Sequence, residues 1–116
     1  MKSHSHYMRI TALSLFTLAL FISQPVSAAD ATAAAVAIKI DNFSFNPPTI
    51  TIPPGTQVTW ANQDDIPHTV VSDDKTTFKS RALDTAEKFS FTFTKPGIYE
   101  YFCSIHPHMT AKVIVQ

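Results

Sequence analysis

Residues 89–103 read Phe-Ser-Phe-Thr-Phe-Thr-Lys-Pro-Gly-Ile-Tyr-Glu-Tyr-Phe-Cys. Phe89, Phe91 and Phe93 alternate with Ser90, Thr92 and Thr94, the period of a strand with one apolar face. Pro96-Gly97 then breaks the run. Alternation resumes beyond the break, with Tyr99, Tyr101 and Cys103 on one face and Ile98, Glu100 and Phe102 on the other. Two strands joined by a turn therefore end on a cysteine.

The same period spreads outward in both directions. Val36, Ile38 and Ile40 share a face, as do Ile50 and Ile52, then Val58 and Trp60, and finally Val113 and Val115. Val, Ile, Thr and Phe suit half-buried strands. Pro47-Pro48, Pro53-Pro54-Gly55 and Asp73-Asp74 separate the runs. Residues 75–86 carry no clear period and read as an irregular crossing or a short strand near Phe78. No long helical period is present, nor any internal repeat. Seven or eight short strands over about 80 residues predict an all-β, two-sheet sandwich. Trp60 and the Phe89–Phe93 row are expected in its core. The acid pairs Asp64-Asp65 and Asp73-Asp74 are expected to be solvated turn residues.

At 116 residues the chain holds about one domain. Nine basic side chains balance nine acidic ones, which argues against a nucleic-acid binder or a polybasic membrane module. Gly55 and Gly97 are the two glycines, too few for a phosphate-cradling loop. One cysteine excludes an internal disulfide and a Cys-rich zinc site.

The first residues read as an address. Lys2 and Arg9 precede an apolar run from Ile10 to Ile22, followed by the small-residue stretch Val26-Ser27-Ala28-Ala29. This is the layout of a secretory signal peptide, and the run is short for a membrane span of about 20 residues. Residues 1–28 are thus expected to be cleaved near Ala28, 29–35 to be a flexible lead-in and 36–116 to be the folded domain. No membrane segment remains after cleavage. Losing Lys2 and Arg9 leaves seven basic and nine acidic side chains, a balance of −2. So small a core gains from a staple, and a disulfide is not available.

The chemistry concentrates in Cys103-Ser104-Ile105-His106-Pro107-His108-Met109. The stretch offers a thiol, two imidazoles and a thioether, with Cys103, His106 and Met109 at intervals of three, and His68 adds a third imidazole from a separate run. Each alone has an ordinary reading: a buried inert thiol, a surface histidine, a core methionine. Together they form a soft ligand set. One Cys, two His and a weak Met describe a blue-copper site, whereas structural zinc favours two to four Cys and calcium or magnesium favours oxygen. A Cys–His nucleophile pair is the rival use of a lone Cys, but it leaves Met109 without a role.

With these residues in view, the sequence resembles the small cupredoxins of the plastocyanin, pseudoazurin and amicyanin group over roughly residues 36–116. The matching features run in order: a Trp-containing strand (Trp60), Pro67-His68, then Pro96-Gly97-x-Tyr99-x-Tyr101-Phe102-Cys103, then the ligand loop. The C-x-x-H-x-x-M spacing is the short form, most similar to amicyanin. The resemblance implies a Greek-key sandwich holding one copper ion. His68, Cys103 and His106 would be its strong ligands and Met109 its long axial one. Two departures stand out. Thr69 follows the first His where the family often has Asn, and His108 takes a place that is aromatic in amicyanin. His108 is expected to face solvent.

The function so implied is single-electron transfer between periplasmic redox proteins. Docking would be transient, near the edge of His106, with Pro67, Ile105 and Pro107 as apolar neighbours; a monomer is expected. A copper carrier or buffer would use the same ligands. A copper enzyme would need further His ligands, of which the mature part has too few. An immunoglobulin-like sandwich would lack the partner cysteine.

Overall fold

The computed structural model describes residues 19–23 and 34–116. The chain divides into a first unit, Met1–Asp30, and a second, Ala31–Gln116. Residues 19–23 of the first unit are exposed and form neither helix nor strand. The rest of the expected signal segment 1–28, its cleavage site, and residues 29–33 of the lead-in lie outside the described residues. Among the described residues, no helix is long and apolar enough to cross a membrane.

The second unit is an eight-strand sandwich: β1 Ala35–Asp41, β2 Ser44–Asn46, β3 Thr49–Ile52, β4 Thr56–Asn62, β5 Val71–Ser72, β6 Lys88–Phe93, β7 Gly97–Phe102 and β8 Thr110–Val115. One sheet runs β2-β1-β4-β6 and the other β3-β8-β7-β5. The chain changes sheet after β2, β3, β4, β5 and β6, so each sheet mixes distant segments. β1 lies parallel to β4 and β3 parallel to β8; the other pairs are antiparallel. This is the two-sheet all-β architecture that the alternation predicts.

The alternating residues line the core as expected. Ile38, Ile40, Ile52, Val58, Trp60, Phe93, Tyr101, Cys103, Val113 and Val115 are buried, with Phe89, Phe91 and Tyr99 packed at its margin. Trp60 is the centre of an aromatic cluster, with ring centroids 5.5 Å from Tyr101 and 5.7 Å from both Phe78 and Phe89. Each fully buried large side chain contributes roughly 1.5–3 kcal/mol relative to exposure. The Trp60 indole N–H and the Tyr101 hydroxyl lie in this core without a hydrogen bond of normal geometry. Burial pushes the Tyr101 phenol up to about 12, with Trp60 offsetting part of the rise.

The stretch without a clear period proves to be a crossing that carries core residues. Between β5 and β6 it makes only isolated bridges, Lys79 to Val71 and Leu83 to His68. Phe78 and Leu83 are nevertheless buried. The Leu83 bridge has two backbone bonds, His68 N–H to Leu83 C=O at 3.1 Å and Leu83 N–H to His68 C=O at 2.8 Å. Thus the irregular segment fixes the backbone of His68 against the sandwich.

Candidate metal centre

His68 and the Cys103–Met109 loop converge at one end of the sandwich. Cys103 follows β7 directly, and its thiol points inward because Tyr99, Tyr101 and Cys103 share the core face. The next residues cannot extend the strand through Pro107. The loop closes on itself instead: Cys103 N–H donates to Met109 C=O at 3.0 Å and Met109 N–H to His106 C=O at 2.9 Å. β8 then starts at Thr110. Met109 is buried beside the site and His108 is exposed.

The donor atoms of His68, Cys103 and His106 all lie within 4.8 Å of one another. Cys103 Sγ is 3.8 Å from His68 Nδ1 and 3.7 Å from His106 Nδ1. Imidazole nitrogen and thiolate sulfur bound to one ion at about 2.0 and 2.3 Å stand roughly 3.7 Å apart when the angle between the bonds is near 120°. The spacing of these side chains therefore fits a single ion held by all three. His68 is fully buried and His106 is partly exposed.

The surrounding hydrogen bonds prepare the donors. His68 Nε2 lies 2.7 Å from Asp64 Oδ2, so an Nε2–H donated to this carboxylate leaves the Nδ1 lone pair facing the thiol. Asp64 also accepts the N–H groups of Asn42 at 2.8 Å and Phe43 at 3.0 Å. The Phe43 N–H bond lowers the Asp64 carboxyl most; burial opposes it, and the Asn42 N–H and His68 add to the lowering, so that the carboxyl is held at about 2. This corrects the reading of Asp64 as a solvated turn residue: one of the paired acids is turned in against His68, because three N–H donors converge there. Asp74 keeps the turn role, accepting from Ser72 Oγ at 2.6 Å and from the Thr76 and Thr77 N–H groups at 2.9 Å.

For Cys103, burial favours the neutral thiol, but the Thr69 N–H and both imidazoles outweigh it and bring the thiol down to about 6. The Thr69 N–H lies 3.4 Å from Sγ. A thiolate is the form that binds metal. Thr69 also bonds across to the next segment: its hydroxyl accepts the Ser104 N–H at 2.7 Å and meets Ser104 Oγ at 2.8 Å. The segment with His68 is thereby tied to the segment with Cys103.

Two contributors escaped the sequence reading. Asn62, fully buried, donates from Nδ2 to Ile66 C=O at 2.9 Å and Leu83 C=O at 2.8 Å, and accepts the Asp64 N–H at 3.0 Å. It shapes the turn between β4 and His68. Phe43 sets its ring edge-on to His68 and His106, with centroids 5.5 and 5.0 Å away. Neither Asn62 nor Phe43 is marked by a motif or a period in the sequence.

A family model described as a cupredoxin-like domain matches residues 11–115. The chain is a cupredoxin. Among curated relatives of this cupredoxin is the amicyanin of Paracoccus versutus, 36% identical over 99 residues, covering 80% of this chain and 74% of the relative. Among solved structures, an amicyanin variant in its Cu(I) form superposes with a TM-score of 0.67 at 29% identity, over 76% of this cupredoxin and 88% of that chain. A copper-containing nitrite reductase from Thermus scotoductus gives a TM-score of 0.66 at 35% identity, but the match covers only 22% of the enzyme.

Proposed function

We propose that this cupredoxin is a type 1 copper protein that carries single electrons between redox proteins of the periplasm. The observation that carries the reading is the placement of Cys103 Sγ 3.7–3.8 Å from two imidazole nitrogens. Bound there, a copper ion would supply a Cu(I)/Cu(II) couple. His68, Cys103 and His106 would hold it, with the Met109 thioether as the weak axial ligand of the blue-copper donor set. The likeness to an amicyanin in its Cu(I) form supports copper over zinc.

The residues divide the work. Asp64 orients His68, and the Thr69 N–H stabilises negative charge on Cys103. The closed loop keeps His106 and Met109 at a fixed distance from the thiol, so few atoms need move when charge changes. His106 has the exposed edge, flanked by Ile105 and Pro107, and a transient partner would dock on that side through a small contact. A mature balance of −2 gives little electrostatic steering. Residues 1–28 would direct export and be removed near Ala28, with 29–35 leading into the domain at 36–116. The protein would act as a carrier and not as an enzyme: the reductase likeness covers one small part of that enzyme, and His68 and His106 are already engaged.

Spectroelectrochemistry of the copper-loaded protein tests this. A single reversible one-electron wave is expected, and Met109→Leu should keep the metal while shifting the potential. Irreversible loss of copper on reduction would contradict electron transfer and favour a copper carrier.

A further inference from the structure

The hairpin joining β1 to β2 has a two-residue loop, since Asp41 pairs with Ser44. Both loop residues are left-handed, Asn42 at φ 49° and Phe43 at φ 56°. That is the pattern of a type I′ turn, for which Asn-Gly is the favoured pair. Asn42 suits its place. Phe43 does not: a bulky side chain strains this backbone region, and the ring is 47% exposed, so core burial does not account for it. A strained conformation persists where its surroundings hold it. Here the holding group is Asp64, which accepts both loop N–H groups and with the same carboxylate meets His68 Nε2.

The ring that results from this strain lies across both imidazoles. It meets His68 at an interplanar angle of 88° and His106 at 89°, while the two imidazoles stand 4.9 Å apart. Edge-to-face pairs of this kind are favourable beyond their buried area. His106 sits on a loop otherwise open to solvent, and His68 on a separate segment; among the described aromatic pairs, Phe43 is the ring that bridges them.

We propose that Phe43 is a positioning residue of the metal centre, held by Asp64 as a strap over His68 and His106 that keeps the imidazoles facing the thiol and slows release of the metal. This rests on the reading of the site as a copper centre. The strap would preorganise the donors before metal arrives, lowering the ordering cost of binding.

Phe43→Gly separates this role from a structural one. Glycine adopts the left-handed conformation freely, so relief of backbone strain offsets the lost ring contacts and the metal-free variant should unfold at a midpoint close to that of wild type. Reduced, copper-loaded variant mixed with excess bicinchoninate should nevertheless surrender copper about tenfold faster, the scale of two lost aromatic contacts. Phe43→Tyr should release at the wild-type rate. In the metal-free protein, the proton resonances of the His68 and His106 rings should shift and broaden in Phe43→Gly. Release from Phe43→Gly within about twofold of wild type would overturn the proposal, as would faster release accompanied by a lowered midpoint of the metal-free protein. A wild-type protein that takes up no copper in a blue site would defeat the copper reading itself, before any variant is compared.

Discussion

At the scale of single residues, the centre depends on which proton sits where. Asp64 is the clearest case. Its carboxyl is held at about 2, against an ordinary value of 3.8. The folded state therefore binds the proton more weakly than the unfolded chain does. The stabilisation is present above about pH 4 and is lost as pH falls towards 2. We expect the metal-free protein to unfold at a higher midpoint than Asp64→Asn near neutral pH, with the gap closing as acid protonates the wild-type carboxylate. A gap independent of pH between 5 and 2 would show that the carboxylate charge is not what holds the Asn42 and Phe43 N–H groups. Asp64 also marks how far a sequence can be read. Its position four residues before His68 is visible, but an acid pair beside a turn reads as solvated until the fold brings the β1–β2 hairpin against it. The strained ring of Phe43 was less visible still, because the left-handed loop follows from strand register and not from the residue itself.

At the scale of elements, alternation made the strands legible. The Phe89–Phe93 and Tyr99–Cys103 rows lie on the faces that their period predicts. The 75–86 segment was legible as an irregular crossing but its core residues were not, because Phe78 and Leu83 reach the core from irregular backbone and leave no period to find. That crossing matters to the site through Leu83, which brackets His68, and through Asn62, whose side chain joins Leu83 C=O, Ile66 C=O and the Asp64 N–H. Asn62→Ala would orphan these groups in a buried setting. Removing one partner of a buried hydrogen bond costs about 1–3 kcal/mol, so the variant should lose about 3 kcal/mol in chemical denaturation of the metal-free protein. A loss below about 1 kcal/mol would mean that water replaces the side chain and that the turn does not depend on it.

At the scale of the whole molecule, the lone cysteine links fold and function. A domain of this size gains from a staple, and Cys103 cannot supply a disulfide. It lies instead between two histidines from distant parts of the chain, where one ion would join the Ile66–Thr69 segment to the β7–β8 loop. The ligand types were readable in Cys103-Ser104-Ile105-His106-Pro107-His108-Met109, and the resemblance assigned His68 to the same site; their mutual distances belong to the sandwich. The measurement that tests the account most directly is the visible and electron paramagnetic resonance spectrum of the purified, copper-loaded protein. We expect one copper per chain, an intense blue thiolate-to-copper absorption with the narrow copper hyperfine splitting of a type 1 site, and loss of that absorption in Cys103→Ala. A colourless protein, an ordinary wide splitting, or a Cys103→Ala variant that stays blue would contradict it.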